Sequence, residues 1–282
     1  MNFHSEPSTF VSQVNLKVSN LERSLSFYQE VIGFKILSQT ETKADLTADG
    51  KKTLLTIEQP EHVKPKQKST TGIYHFALLL PERSDLAGIV RHFVQLGLRI
   101  GSADHLVSEA LYLADPDGNE IEIYIDRNPS VWSWSDGEVA MATDPLDFRN
   151  LLSSEQEKTW NGLPTGTIMG HIHLHVSQLD EAEQFYTQGL GFEVVNRFGA
   201  QALFISTGKY HHHIGLNTWA GIGAPPPAPN SVGLESYLLV FPNEEARGRI
   251  IAQLRNIGAT VQEKNGFYVT ADPSGNQIQL HV

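Results

Sequence analysis

Asp115-Pro116-Asp117-Gly118-Asn119-Glu120-Ile121-Glu122 returns near the C-terminus as Asp272-Pro273-Ser274-Gly275-Asn276-Gln277-Ile278-Gln279. In each copy Pro presets φ and Gly supplies a positive φ, so Asp-Pro-x-Gly-Asn reads as a tight turn feeding an alternating strand. Working back from either turn recovers one plan: a strand, an amphipathic helix ending at Gly, then further strands. Before the first turn lie a strand over 73–80 and a helix carrying Leu86, Ile89, Val90, Phe93 and Leu96, closed by Gly97. Before the second lie a strand over 237–241, Asn243 as helix cap, then Ile250, Leu254, Ile257 and Gly258.

The same plan appears twice more. A strand over 14–18 leads through the cap Asn20 into a helix over 21–32 with Leu21, Leu25, Tyr28 and Ile32 on one face, ended by Gly33. A strand over 171–176 leads into a helix with Ala182, Phe185 and Tyr186, ended by Gly191. Four βαβββ modules predict an α+β protein built by internal repetition. At ~150 residues per domain, 282 residues predict two domains: 10–126 (modules 10–59 and 72–126) and 168–282 (modules 168–219 and 232–282), with 127–167 a connecting arm. The arm and the Pro-rich stretch 220–231 are long enough to wrap or cover a site. Pro225-Pro226-Pro227 reads as a stiff spacer, and Trp132, Trp134 and Trp160 as anchors for the arm.

Asp and Glu number 32 against 21 Lys and Arg, for a net charge of -11. That sign disfavours a surface that tracks phosphates, so no nucleic-acid partner is expected. The N-terminus lacks a basic-then-apolar leader and no apolar run approaches the ~20 residues of a membrane span, which predicts a cytoplasmic chain without membrane contact. There is no Cys but there are 12 His, so any metal must be held by imidazole and carboxylate. No phosphate-cradling Gly loop and no nucleophile elbow is present.

Aligning the four modules turns scattered polar residues into columns. Gln13, His75, His171 and Ser236 share a first-strand column, while Glu122 on a closing strand is matched by Gln279 in the fourth module. Alternate strand residues face one way, so His75 and His171 occupy equivalent, inward positions. A single His on a half-buried strand is more often packed than a ligand. Two His and one carboxylate converging from different strands, however, suit a divalent metal with open positions, ferrous iron above all. The columns supply that set once, as His75, His171 and Glu122.

At these residues the chain resembles the vicinal oxygen chelate (glyoxalase/bleomycin resistance/dioxygenase) superfamily, and within it the type I extradiol ring-cleaving dioxygenases of the bacterial catechol 2,3-dioxygenase kind. The resemblance covers nearly the whole chain and is carried by Gly170-His171-Ile172-His173-Leu174-His175-Val176, by Tyr210-His211-His212-His213-Ile214-Gly215-Leu216-Asn217, and by Glu109 through Glu122. It implies two glyoxalase-like half-open barrels, with metal ligands at His171, His75 and Glu122. It further implies an acid/base His at His212, with His211 and His213 open alternatives, and a substrate-facing Tyr at Tyr112. His105 resembles a further outer histidine of the family, though its spacing differs, and His173 sits where the family often places a polar active-site residue.

One departure is informative. The usual arrangement completes the triad on modules three and four, but Ser236 and Gln279 replace the expected His and Glu here, and Gln13 breaks the set in module one. Only modules two and three together are complete. The expectation is a working barrel from modules two and three, within one chain or between copies in a homo-oligomer, and a metal-free structural partner from one and four. The resemblance implies Fe(II), with Mn(II) as a substitute, and O2 and a small aromatic diol as partners. The implied reaction is meta cleavage to a hydroxymuconic semialdehyde. A glyoxalase-type isomerase would use Zn(II) or Ni(II) and a second acid that module three lacks, and a small-molecule binding protein would need no His/His/Glu set.

Overall fold

The computed structural model describes residues 2–153, 160–264 and 266–282, so the part of the arm at 154–159 lies outside the described residues. The first module comprises β1 (Phe10–Lys17), α1 (Leu21–Ser26), β2 (Lys35–Gln39), β3 (Lys43–Thr47) and β4 (Leu55–Glu58). The second comprises β5 (Gly72–Leu79), α2 (Arg83–Gln95), β6 (Gly101–Asp104), β7 (Ser108–Ala114) and β8 (Glu120–Asp126). The arm carries a small hairpin, β9 (Trp134–Ser135) and β10 (Glu138–Val139), and α3 (Phe148–Ser153). Then follow β11 (Ile168–His175), α4 (Leu179–Gln184), β12 (Glu193–Phe198), β13 (Ala202–Ser206) and β14 (Ile214–Asn217). The fourth module is β15 (Gly233–Val240), α5 (Glu244–Asn256), β16 (Gln262–Lys264), β17 (Phe267–Ala271) and β18 (Gln277–His281).

The strands form two eight-stranded curled sheets, each taking one module from either side of the arm. Modules one and four make the order β16-β17-β18-β15-β1-β4-β3-β2, and modules three and two make β12-β13-β14-β11-β5-β8-β7-β6. At the centre of each sheet the two first strands run antiparallel, β1 with β15 and β5 with β11. Each closing strand lies parallel to the first strand of its own module, as β8 does on β5 and β18 on β15. The registers match: Asn15 faces Ser236 in one sheet as His173 faces His75 in the other. One continuous apolar core joins the sheets, with Val14, Leu16 and Leu239 from the first and Phe76, Leu78 and Ile172 from the second.

The Asp-Pro-x-Gly-Asn turns form as their sequence requires, with Gly118 at φ 79° and Gly275 at φ 87°. Their leading Asp is also a buried hub between modules. Asp115 accepts hydrogen bonds from the Asp117 and Asn119 amides, from Asn119 Nδ2, and from the Tyr28 hydroxyl of module one at 2.9 Å. Asp272 is held alike by Ser274, Asn276 and, from module three, Tyr186 at 3.0 Å. The helix predicted over 21–32 is α-helical only to Ser26 and continues as a π-helical turn, Phe27–Ile32; α4 continues likewise over Phe185–Gly189. Both wide turns carry the Phe-Tyr pair whose Tyr reaches the neighbouring module's Asp. The caps are as read: Asn20 accepts from the Arg23 amide and Asn243 from the Ala246 amide.

The arm is anchored by its tryptophans. Trp132 is buried against Phe3 and Tyr210, Trp134 packs on the same cluster, and Trp160 stacks on His92 at 5.1 Å. Backbone hydrogen bonds between Asp104 and Asp144 staple the arm to β6. The Pro-rich stretch lies elsewhere, tied to the loop before β5 through the Thr71 amide and the Pro225 carbonyl.

Candidate active site

β5, β8 and β11 bring three predicted residues together on the concave face of the second sheet. Nε2 of His75 lies 3.1 Å and Nε2 of His171 3.2 Å from Oε2 of Glu122, and the three donor atoms fall within 4.8 Å of one another. All three side chains are buried. Neither ring nitrogen of His75 has a hydrogen-bond partner among the described residues. Orphaned buried nitrogens facing a carboxylate cost free energy unless something electrophilic joins them, and a divalent cation fits that donor set. Burial depresses the His171 imidazole to about 4, against the pull of Glu122. Burial works against Glu122 ionising, but attraction to and the hydrogen bond from His171, with the nearby His75 imidazole, outweigh it and hold the carboxyl well below the usual range.

The first sheet shows what the same positions become without ligands. Gln13 donates to Asn15 and Thr56, Asn15 donates to Ser236, and Gln279 donates to Ser236. These side chains bond one another, and the network runs on through Thr56 to Asp45 and through Gln279 to His281. Its register counterpart in the second sheet is the triad.

Local packing explains the Gly-His pair that opens β11. A Cβ on Gly170 would lie 2.0 Å from the Tyr124 hydroxyl, so only Gly lets β11 approach β8 closely enough for His171 to meet Glu122. Gly215 on β14 occupies the register position that corresponds to Glu122. A Cβ there would sit 2.8 Å from the His173 ring, so the imidazole fills the space of a fourth ligand.

A cavity of about 390 Å³ opens over the triad, and His75, Glu122, Tyr112, His105, His173 and His212 all line it. The His212 ring lies 4.1 Å from that of His171, tilted at 49°, and burial followed by the neighbouring His171 keeps it well below the ordinary histidine value. Its Nδ1 meets His211 Nδ1 at 2.8 Å, and His211 Nε2 meets Asp126 at 2.8 Å. In the tautomer where a singly protonated His211 donates to the Asp126 carboxylate through Nε2, its Nδ1 accepts from His212 Nδ1 and leaves His212 Nε2 as a free lone pair. Neither His211 nor His213 lines the cavity. His213 is fully buried, accepts from the Thr207 amide and donates to the Phe3 carbonyl.

The His105 Nδ1 donates to the Ala142 carbonyl at 2.7 Å, so Nε2 of a singly protonated ring accepts from the Tyr112 hydroxyl at 2.6 Å. Burial and then the Glu122 charge push the Tyr112 phenol well above its ordinary value. For His173, Asn217 Oδ1 accepts from the Trp219 amide, which orients Nδ2 to donate to His173 Nε2 at 2.9 Å. Tyr74, Phe204 and Trp219 complete an aromatic wall.

The family model for the glyoxalase/bleomycin resistance protein/dioxygenase superfamily matches residues 11–123 and 168–280. The chain belongs to this superfamily. Over 278 residues, 97% of this chain and 98% of the relative, it is 46% identical to a catechol-2,3-dioxygenase of Bacillus subtilis (strain 168). It is 30% identical over 40% of its length to 62% of a biphenyl-2,3-diol 1,2-dioxygenase of Rhodococcus globerulus. Glyoxalase I from Zea mays shares the fold, with a TM-score of 0.59 at 14% identity over 97% of this chain and 92% of that one. Among the superfamily's members, the near full-length likeness makes this chain an enzyme of the dioxygenase kind, and its His-Glu-His cluster is suited to a metal.

Sequence reading missed several residues of this superfamily site. Asp126 lies two residue pairs beyond Glu122 on the same face of β8, so extending the alternation would have found it. Asn217 belongs to the quoted run before Trp219 but carries no spacing signal of its own. Tyr74 enters the cavity from a register irregularity inside β5 and Trp219 from the loop after β14, where periodicity is silent.

Proposed function

We propose that the enzyme opens the ring of catechol or a substituted catechol beside the diol, with O2, to give a hydroxymuconic semialdehyde. The observation that carries this reading is a three-ligand set, two imidazoles and one carboxylate, roofed by an aromatic-walled cavity into which the His212 imidazole and the Tyr112 phenol also open. His75, His171 and Glu122 would hold the ion. Held there, Fe(II) or Mn(II) would supply acidification of the catechol hydroxyls and activation of O2. The carbon–carbon bond beside the diol breaks and both atoms of O2 enter the product.

The chain's own groups then have definable work. His212, with Nε2 unprotonated and facing the cavity, accepts a proton from a catechol hydroxyl and returns it as the O–O bond breaks. Asp126 holds His211, and through it His212, in the tautomer this needs. Tyr112, oriented by His105, hydrogen-bonds a ring oxygen, and His173, oriented by Asn217, presents a polar edge. Tyr74, Phe204 and Trp219 bind the ring and exclude water. The filled position at Gly215 counts against a four-ligand zinc or nickel isomerase, and the orphaned nitrogens of His75 against a binder without metal.

The test is anaerobic reconstitution with Fe(II), followed by O2 uptake and the visible absorbance of the ring-opened semialdehyde on adding catechol. Stoichiometric uptake with product supports the reading. Tight zinc with isomerase activity, or no metal affinity at all, would sink it.

A further inference from the structure

Ring opening changes the charge of what the site holds. A catechol is uncharged, whereas the product carries a new carboxyl group whose proton goes to solvent at neutral pH. No Lys or Arg is among the described residues that line the cavity over the triad. The basic run Lys64-Pro65-Lys66-Gln67-Lys68 instead sends two of its lysines into a second cavity beside it.

This second cavity, of about 720 Å³, lies where the loop before β5, the turn at 116–118 and the chain after β14 meet. Trp219 is a wall of both cavities, and its ring meets that of Tyr74 edge-on at 5.3 Å. The loop that carries the lysines is held in place. The Lys64 amide donates to the Asn230 carbonyl at 2.9 Å, and Gln67 Oε1 accepts from the Ala228 amide at 2.7 Å.

Lys66 is partly buried, and its Nζ donates only to the Gly118 carbonyl, at 2.6 Å. Burial lowers this ammonium from its ordinary value, against the pull of Asp115 and Glu120. Lys68 is exposed, and among the described residues no carboxylate pairs with either lysine. Asp117, the acid on this wall, is already taken up by Ser19 and Arg23. An ammonium with one carbonyl partner keeps two N–H donors for an anion. His175 donates from Nδ1 to Asn217 Oδ1 at 2.7 Å, which leaves Nε2 of the neutral ring as an acceptor. Burial, and then the charge of Lys66, keep that ring below the ordinary histidine value, against its bond to Asn217. Ile73, Pro227 and Leu234 give the cavity apolar sides.

Two ammonium groups, one acceptor and an aromatic face suit a short conjugated chain that ends in a carboxylate and bears a hydroxyl. We propose that this second cavity binds the ring-opened product as it leaves the active cavity, its carboxylate on Lys66 and Lys68, its enol hydroxyl on His175 and its diene along Trp219. This inference rests on the ring-cleaving reading and adds the step that follows it.

The test is equilibrium dialysis of the Fe(II)-loaded enzyme without O2, with radiolabelled sorbate, a six-carbon dienoate, as the probe and hexadienol as its uncharged analogue. Sorbate should bind roughly 10-fold more tightly than hexadienol, as expected for a carboxylate on one partly buried and one exposed ammonium. Lys66→Gln should remove most of that advantage and Lys68→Gln less of it, while Lys66→Arg keeps it. Taking the ratio within each variant cancels any change in folded fraction. Saturating catechol should leave sorbate binding unchanged, because the two occupy different cavities. The ring-opened product, made by turnover and followed by its visible absorbance, should be retained with the same lysine dependence. Displacement of sorbate by catechol, or a ratio unmoved in both glutamine variants, would overturn the proposal. Retention of sorbate without retention of product would overturn the assigned occupant. If catechol is not opened while lysine-dependent binding persists, the ring-cleaving reading fails and a carboxylate site stands. If catechol is opened and no sorbate is bound, this inference alone fails.

Discussion

His75, His171 and Glu122 differ from Ser236, Gln13 and Gln279 by side chain alone, in matched registers of two similar sheets. The first set leaves buried imidazole nitrogens without hydrogen-bond partners, whereas the second is tied into a side-chain hydrogen-bond network, so metal affinity should follow the residue and not the fold. Glu122→Gln should abolish metal retention on desalting, read by elemental analysis, whereas Gln279→Ala should leave it unchanged; comparable loss in both would overturn the assignment. Asp126 acts one residue further away, through His211. Asp126→Asn removes the negative charge and lets an amide NH2 donate to His211 in place of the carboxylate, so the tautomer of His212 is no longer fixed and, on the proposed mechanism, kcat should drop by roughly 10- to 100-fold with KM little changed. A parallel rise in KM and fall in thermal stability would reduce Asp126 to a packing role. Gln13 and Ser236 were legible as departures from the triad because they sit in a column; the face of Asp126 was legible from the alternation along β8, but its partner was not, since nothing in one sequence says that β8 runs alongside the Tyr210–His213 loop.

At the scale of elements, the Asp-Pro-x-Gly-Asn turn does two things. Pro and Gly settle its backbone locally, and its buried Asp ties it to a tyrosine on another module's π-helical turn. Replacing Asp115 by Ala would strand the Asp117 and Asn119 amides and the Tyr28 hydroxyl, at ~1–3 kcal/mol for each buried unpaired group. Asp115→Ala and Asp272→Ala should therefore each cost at least about 3 kcal/mol in denaturant unfolding. A loss below ~1 kcal/mol would show that water replaces the carboxylate. The caps, the helix ends and the alternating strands were legible, because each depends on residues within one turn or one strand. The π-helical widening was not, because its partner Asp lies in a different module.

Over the whole molecule, sheet pairing crosses the chain's midpoint. Cutting the chain in the arm would leave β1 without β15 and β5 without β11, exposing two central strand edges and half of a shared core. A fragment of residues 1–153 should lack native-like near-ultraviolet dichroism and aggregate, while the full chain melts in one transition; a soluble, cooperatively folded fragment would contradict this. The N-terminal segment is pinned behind the site by His213 donating to Phe3 and His4 bonding the Gly170 carbonyl. Burial lowers both imidazoles from their ordinary value of about 6.5. Above that pH neither folded nor unfolded chain is protonated there. As pH falls below it, the unfolded chain takes up protons that the folded chain refuses, so stability declines with falling pH. Melting temperature should be flat from pH 8 to about 7 and fall steadily toward pH 5. An unchanged melting temperature across that span would mean that these histidines stay exposed.

What the amino-acid sequence determined by itself is the repeat, the turns and the identity of the residues able to bind a metal, because periodicity, backbone preference and donor chemistry are local properties. That the expected module pairs, two with three and one with four, meet within one chain, and which of three adjacent histidines turns to the cavity, were decided only by tertiary structure. Those depend on strands separated by up to a hundred residues or more meeting across a shared core, where the shape of a single close approach such as Gly170 against Tyr124 selects one arrangement.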